Sequence, residues 1–204
     1  MQLSFATKGL GHCFGNRFLF RNISLSASTG SIHVITGPNG SGKSTMLRIL
    51  AGAVSPDEGT TSFSQDGKEL EDEFLWQKIA FIAPYQELPE EFSLAELINF
   101  QKSMQSENAG ITDHHNFAEK FGLSPFMNKP IREFSTGMKQ KAKFILAMGS
   151  GRRIWLLDEP GSNLDQAACQ TLHELLREKA KECLVILATN DPAELALGPA
   201  MIHL

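Results

Sequence analysis

Residues 37–45 read Gly37-Pro38-Asn39-Gly40-Ser41-Gly42-Lys43-Ser44-Thr45, and this stretch decides the fold. It follows Ser31–Thr36, an apolar segment typical of a strand, and precedes residues 44–51, whose apolar positions have helical spacing. A glycine-rich turn that joins a strand to a helix and ends in Gly-Lys-Ser is the pattern of a phosphate-binding loop. The sequence therefore predicts a nucleotide site on a strand–loop–helix unit.

The residue types in this loop each suit one part of a nucleotide. Gly40 and Gly42 allow backbone conformations in which amide groups approach phosphate oxygens. Lys43 brings a positive charge to the β- and γ-phosphates, and the helix that begins near it directs free N–H groups at the anion. The Ser44 hydroxyl is suited to Mg²⁺, and Thr45 to the α-phosphate. We therefore expect ATP and Mg²⁺ to bind along the whole stretch from Gly37 to Thr45.

Two carboxylates follow a later apolar strand, Ile154–Leu157. Asp158 ends the strand, where a carboxylate can hold Mg²⁺ directly or through water. Glu159 is then expected beside the γ-phosphate, where it can orient and partly deprotonate an attacking water. An acidic turn after a core strand is common by itself, so the inference depends on the phosphate loop upstream.

The remaining sequence predicts strands that alternate with helices, interrupted by a helical block. The predicted strands are Leu3–Thr7, Phe18–Leu25, Ser31–Thr36, Ile79–Ala83, Ile154–Leu157 and Leu184–Ala188. The predicted helices are 44–51, Ser93 through Phe100, about 113–121, about 136–148 and 166–181. Glycines at 9–11 predict a turn, and 53–83 predicts turns and strands. This pattern is typical of an α/β protein with a largely parallel sheet, in which residues 86–150 are an insertion.

Composition limits the class of protein further. The 204 residues predict one domain, 42% of them are apolar, and 19 Lys+Arg against 23 Asp+Glu give a net charge of −4. This balance argues against nucleic-acid binding by bulk charge, so no nucleic-acid partner is expected. Three separated cysteines, Cys13, Cys169 and Cys183, predict neither a disulfide framework nor a zinc site and favour a reducing cytosol. The sequence shows no secretory signal and no run of about 20 apolar residues, so any membrane role requires a partner.

Further motifs, in their order along the chain, give a family resemblance. Gln86 follows a strand as a Q-loop glutamine does, residues 134–138 (Phe-Ser-Thr-Gly-Met) occupy the place of an LSGGQ signature, and residues 162–165 (Ser-Asn-Leu-Asp) match a D-loop. With the phosphate loop and the acidic pair, the chain resembles the ATP-binding subunit of an ATP-binding-cassette (ABC) transporter over nearly its whole length. Phe14 lies where that family has an aromatic residue that stacks on adenine.

The resemblance implies a fold and an assembly. The fold is a P-loop NTPase (RecA-like) core, residues 1–85 and 151–204, with an N-terminal antiparallel β subdomain and an inserted α-helical subdomain, residues 86–150. The resemblance implies that two such subunits pair head to tail with two ATP molecules between them. We expect this pair to be a homodimer. Ser135 and Gly137 of one subunit then face the phosphate loop of the other. The free amides at the start of the signature helix agree with this role.

The resemblance also assigns site residues. Glu159 is the base of ATP hydrolysis, Lys43 and Gln86 assist it, and Ser44, Gln86 and Asp158 hold Mg²⁺. Asp165, the last residue of the D-loop motif, is assigned to the residues that bind the nucleotide.

Two departures from the family pattern concern catalysis. The signature has Thr136 and Met138 in place of glycine and glutamine, which predicts a weaker contact across the dimer. Asn190 replaces the usual histidine, and an asparagine can donate a hydrogen bond to a γ-phosphate but cannot carry a proton or a positive charge. We therefore predict intact ATP binding with slow hydrolysis.

The resemblance favours one function over two others. The chain is expected to be the ATPase subunit of a transporter, bound to the cytoplasmic face of the membrane through a separate permease chain. Its length and layout match export-type small subunits. A soluble ABC ATPase, for iron–sulfur assembly or another macromolecular machine, stays open, whereas the signature and the D-loop argue against a small-molecule kinase. The transported substrate is not readable from this sequence.

Two groups of polar residues are expected to be solvated rather than functional. His114 and His115 lie at a polar helix start, and Lys139, Lys141 and Lys143 lie on the signature helix.

Overall fold

The computed structural model describes residues 2–104 and 113–204. The strands are β1 (Leu3–Phe14), β2 (Arg17–Ile23), β3 (Ser26–Ser28), β4 (Ile32–Thr36), β5 (Glu58–Gln65), β6 (Lys68–Glu69), β7 (Ile79–Ile82), β8 (Ile154–Asp158), β9 (Leu184–Ala188) and β10 (Ala200–His203). The helices are α1 (Lys43–Leu50), α2 (Asp72–Lys78), α3 (Leu94–Met104), α4 (His114–Lys120), α5 (Thr136–Met148), α6 (Gln166–Ala180) and α7 (Pro192–Leu195). Short 3₁₀ turns at Ser124–Phe126 and Ile131–Glu133 lie between α4 and α5.

A parallel sheet in the order β10-β4-β9-β8-β7 forms the centre of the fold. Its inner strands are buried on both faces, as runs such as Leu184–Ala188 predict. Alternate residues face opposite sides: Leu156 and Ile186 pack with α1, whereas Trp155 and Val185 pack with α6 and the helices between β7 and β8. The carboxyl ends of β4, β8 and β9 therefore share one edge of the sheet.

An antiparallel sheet covers the α1 side of this core. Strand β1 pairs with β2, β3 and β5, and β5 pairs with β6. Phe5, Phe20 and Phe63 point into the same apolar cluster as Met46 and Leu50 of α1. The expected combination of a parallel P-loop core and an antiparallel β subdomain is confirmed.

Helices α3, α4 and α5 occupy the chain between β7 and β8. Leu94, Ala118, Phe144 and Ile145 are buried where these helices meet. The capping box predicted at Ser93 is present, because the Ser93 hydroxyl and amide both donate to Glu96 Oε2 at 2.8 Å. Residues 105–112 of the predicted helical segment lie outside the described residues.

Some predicted elements were wrong in type or extent. The glycines at 9–11 do not end a strand, since β1 runs through them with a bulge: Gly9 has φ 58° and the pairing with β5 shifts between Lys8 and Gly11. The close approach of β5 to the bulge requires a glycine at position 59, because a Cβ there would lie 2.4 Å from the Lys8 carbonyl oxygen. The region 53–83 contains a helix, α2, whose Leu75 is buried.

The C-terminal part adds α7 and β10, which the sequence analysis did not predict. Asp191 caps α7 by accepting from the Ala193 amide at 2.7 Å, and Pro192 occupies the first helical position. Strand β10 then pairs in parallel with β4. Within residues 2–104 and 113–204, no helix is both long and apolar enough to span a bilayer.

Candidate active site

The phosphate loop joins β4 to α1 as predicted. Gly37, Gly40 and Gly42 have φ values of 147°, 81° and 104°, a backbone region that strongly favours glycine. Packing also requires Gly37 and Gly42, because an added Cβ would lie 2.6 Å from the Leu204 carbonyl oxygen and 3.0 Å from the Phe20 ring, respectively. The contacts of Gly37 with Leu204 and of Gly42 with Phe20 therefore help to fix the shape of the loop.

Lys43 is buried at the start of α1, with 6% of its surface exposed. Its ammonium group donates to the carbonyl oxygens of Gly37 at 2.8 Å and Pro38 at 3.3 Å. It also lies 4.0 Å from Glu159 Oε1. The loop therefore holds a desolvated cation in place, close to the carboxylate that follows β8.

Asp158 ends β8 as a buried carboxylate that is 2% exposed. Burial raises the pKa of Asp158, whereas the Ser44 hydroxyl, Arg48 and Lys43 act to lower it. Its Oδ1 atom is buried without a hydrogen-bond partner among the described residues. An orphaned carboxylate oxygen beside a serine hydroxyl is an oxygen donor set of the kind that Mg²⁺ prefers.

Glu159 has φ 44°, an unfavourable backbone conformation for a residue with a side chain. Burial raises the pKa of Glu159, and the neighbouring Lys43 charge opposes that rise. The Thr189 hydroxyl donates to Glu159 Oε2 at 3.5 Å. The structure thus brings Lys43, Asp158 and Glu159 together, and a carboxylate with a raised pKa is suited to accept a proton.

Asn190 lies directly after β9 and contacts the phosphate loop. Its amide nitrogen donates to Asn39 Oδ1 at 3.0 Å, and both side chains are exposed at the surface of the site. Asn190 is therefore placed on the rim of the loop, with an amide where a histidine was expected from the family pattern.

Phe14 lies at the exposed tip of the β1–β2 hairpin, with 80% of its surface accessible. Strand β2 runs from this tip beneath the phosphate loop, where Phe20 packs against Gly42. Phe18 also lies on β2, but the Arg21 guanidinium stacks over its ring at 4.5 Å. Of these three aromatic rings, Phe14 is the most open to a flat ligand.

Among the described residues, no hydrogen bond connects Gln86 to the phosphate loop. Its Oε1 accepts from the Ala83 amide at 2.9 Å, which folds the side chain back onto its own turn. Lys143 of α5 donates to the carbonyl oxygens of Ala83 and Pro84, both at 3.1 Å. The prediction of a solvated Lys143 is therefore wrong, because the turn after β7 supplies acceptors for it.

The signature segment begins α5 in the expected way. Ser135 is the N-cap and accepts from the Met138 amide at 3.3 Å. Gly137 packs against the D-loop, since a Cβ there would lie 2.8 Å from the Asn163 carbonyl oxygen. Ser135 and Thr136 are exposed, so the start of α5 is a second surface with free amides.

The D-loop is tied to the same helix by an ion pair. Lys141 Nζ lies 2.9 Å from Asp165 Oδ2, and Asp165 caps α6 by accepting from the Ala168 amide at 2.8 Å. These two partners lower the pKa of Asp165. Lys139 pairs with Glu90, so the lysines of α5 are engaged rather than simply solvated.

Sequence analysis missed several buried polar residues around the site. Thr189, Glu194 and Gln140 are 0%, 2% and 2% exposed. A local signal existed only for Glu194, since Asp191-Pro192 predicts a helix start that would carry it.

The prediction of a solvated His114, at the start of α4, is also wrong. His114 is 1% exposed and its ring packs on Gly149.

A phosphate loop between a parallel strand and a helix, with two carboxylates on a strand of the same sheet, defines a P-loop ATPase. A family model described as ABC transporter matches residues 20–162. The chain therefore belongs to the ABC transporter family, as an ATP-binding subunit whose ATPase activity is coupled to transport.

Relatives and solved structures agree with this assignment. The chain is 32% identical to the cytochrome c biogenesis ATP-binding export protein CcmA of Cupriavidus necator, over 91% of this chain and 82% of that protein. It is 28% identical to the CcmA protein of Paramagnetospirillum magneticum, over 98% and 94%. A solved ATP-binding subunit of an ABC transporter superposes with a TM-score of 0.85 at 26% identity, covering 98% of this chain and 85% of that one.

Proposed function

We propose that this chain is the motor subunit of an ABC exporter, in which two copies close head to tail over two ATP molecules and drive a separate permease chain. One observation supports this proposal above all. The chain carries two surfaces suited to anions, the phosphate loop around Lys43 and the exposed start of α5 at Ser135. In a head-to-tail pair, each γ-phosphate would meet the phosphate loop of one chain and the start of α5 of the other.

The chain's own residues divide the work of hydrolysis. Lys43 is desolvated and faces Glu159, so the cation can stabilise charge that develops on the γ-phosphate. Glu159 orients the attacking water and accepts its proton. Ser44 and Asp158 would hold Mg²⁺, which when bound neutralises phosphate charge. Phe14 provides a surface for the adenine ring, and Asp165 contributes through the D-loop.

We propose that Asn190 limits the rate of ATP hydrolysis. Its amide already donates to Asn39 on the loop, and it has no group that carries a proton or positive charge. Binding of ATP is then preserved while the water and Glu159 are held less firmly. Gln86 is proposed to leave Ala83 when nucleotide binds, which would release the turn that Lys143 contacts.

We also propose that the chain divides into a core and a helical subdomain. The core comprises 1–85 and 151–204, and the helical subdomain 86–150 moves with the signature as one body. The permease partner holds the chain at the cytoplasmic face of the membrane. The CcmA relatives favour an export step in cytochrome c biogenesis as the process served.

Steady-state ATPase assays of the purified chain test the enzymatic part. Wild type is expected to hydrolyse ATP slowly, and Glu159→Gln to bind ATP but to lose turnover by about a hundredfold or more. Glu96→Gln is the matched control, because Glu96 caps α3 away from the site. Equal turnover in wild type and Glu159→Gln would refute the role of Glu159.

A deletion strain of the source organism tests whether this chain serves cytochrome c biogenesis. Haem staining of c-type cytochromes should be lost, restored by wild type and not restored by Lys43→Ala at equal expression. Unchanged staining in the deletion strain would refute cytochrome c biogenesis as the process. Recovery of the tagged chain only in the soluble fraction would favour the soluble ABC ATPase.

A further inference from the structure

The peptide group between Pro160 and Gly161 is held from both sides by buried side chains. Gln140 Nε2 donates to the Pro160 carbonyl oxygen at 3.2 Å. Glu194 Oε1 accepts from the Gly161 amide at 2.6 Å. Both side chains are 2% exposed. The two polar groups of one peptide are therefore fixed by two different helices, α5 and α7.

The contact at Gly161 is unusually close. An added Cβ on Gly161 would lie 2.6 Å from Glu194 Oε1, so a residue without a side chain permits the approach. Burial raises the pKa of Glu194, and the neighbouring Thr189 hydroxyl and Gly161 amide oppose that rise. A buried carboxylate depends on such hydrogen bonds to offset the cost of its burial.

That peptide begins at Pro160, the residue after Glu159. Glu159 begins the turn, because its carbonyl oxygen accepts from the Ser162 amide at 3.0 Å. A φ of 44° is unfavourable for a residue with a side chain. Such a conformation persists only where neighbouring contacts fix it. The Gln140 and Glu194 hydrogen bonds to the Pro160–Gly161 peptide restrict how far the backbone of this turn can move.

We infer that Gln140 and Glu194 form a clamp on the Pro160–Gly161 peptide, and that this clamp positions the Glu159 carboxylate for ATP hydrolysis. The inference rests on the proposed role of Glu159 and adds two positioning residues to it. Gln140 lies on the signature helix one turn after Gly137, so the clamp also links the signature helix to the catalytic turn. Neither side chain hydrogen-bonds to residues 37–45 among the described residues, so nucleotide affinity should not depend on them.

The test compares variants that break or keep each bond. Glu194→Met and Gln140→Met remove one anchor with little change of volume, and Glu194→Gln keeps the acceptor oxygen. Because a displacement of about 1 Å can cost a hundredfold in rate, each methionine variant should lower kcat by about 10- to 100-fold. KM and the Kd for ATP should stay within about twofold of wild type, and Glu194→Gln should retain kcat within about threefold.

The double variant separates positioning from general damage. Both anchors hold one peptide, so Glu194→Met/Gln140→Met should have a kcat close to that of the slower single variant. Thermal unfolding of every variant identifies any that fails to fold, in which case Gln140→Met and Glu194→Gln still provide the comparison. Glu96→Gln serves as control with unchanged kcat.

The outcomes are distinguishable. Wild-type turnover no higher than that of Glu159→Gln would refute the proposed function itself. Wild-type turnover above that of Glu159→Gln, with methionine variants as fast as wild type, would overturn the clamp alone. A rise in KM without a fall in kcat, or a double variant whose loss is the product of the single losses, would also overturn it.

Discussion

Replacing Asp158 with asparagine removes a buried charge while keeping the shape of the side chain. Asp158 is 2% exposed and its Oδ1 atom has no hydrogen-bond partner among the described residues. Leaving a buried hydrogen-bonding group unsatisfied costs about 1–3 kcal/mol of stability, and more when the group is charged. The Asp158→Asn variant still buries an amide group, so we expect a gain of about 1–2 kcal/mol in the free energy of unfolding of the nucleotide-free chain. For a chain of this size that gain raises Tm by about 2–8 °C.

The order of stabilities should reverse when Mg²⁺ and nucleotide are added. A ligand at 100 times its Kd stabilises the native state by about 2.7 kcal/mol. Wild type should gain Tm from Mg²⁺-ADP beyond the gain from ADP with chelator, whereas Asp158→Asn should lose this Mg²⁺-dependent increment. The assay is thermal unfolding of both chains under these conditions.

The same pair of proteins gives a test by pH. Because burial raises the pKa of Asp158, the native state binds a proton before the unfolded chain does as the pH falls. Wild type therefore recovers stability towards acid pH, and the advantage of Asp158→Asn should shrink. An asparagine variant that is less stable than wild type without nucleotide, or that keeps the full Mg²⁺ increment, would refute this reasoning.

Three further variants test individual contacts. Asn190→His should raise kcat by about tenfold or more, because histidine can carry a proton beside Glu159; phosphate release measures this, and a rate at or below wild type contradicts it. Gly137→Ala places a Cβ 2.8 Å from the Asn163 carbonyl oxygen, so ATPase activity should fall by about tenfold or more; wild-type turnover would show that this contact is dispensable. Phe14→Ala should raise the Kd for ATP by about 2- to 12-fold, equivalent to about 0.5–1.5 kcal/mol of stacking. Phe18→Ala is its control in an equilibrium binding assay, and equal effects of the two would contradict a special role for Phe14.

The centre of the fold could be predicted because its signals are local. Runs such as Ile154–Leu157 and Leu184–Ala188 specify strands that are buried on both faces, and the glycine pattern after Thr36 specifies the loop. The convergence of the loop with Asp158 and Glu159 then follows from parallel strands that share one edge.

The rest depends on contacts between distant parts of the chain. The bulge in β1 forms because β5 pairs across it, and nothing within residues 9–11 distinguishes a bulge from a turn. Lys143 is engaged because carbonyl oxygens about 60 residues away lie within its reach. The Gln140 and Glu194 bonds likewise exist only once α5, α7 and the turn after β8 are packed together.

The central proposal is that ATP joins two copies of this chain and that Glu159 then acts as the base for hydrolysis of that ATP. The most direct measurement is the molar mass of the Glu159→Gln chain by light scattering, with and without Mg²⁺-ATP. Since we expect this variant to bind ATP without hydrolysing it, the mass should double when ATP is added and return to that of one chain when ATP is removed. A chain that is saturated with ATP and stays monomeric, or one that is dimeric without nucleotide, would contradict the account.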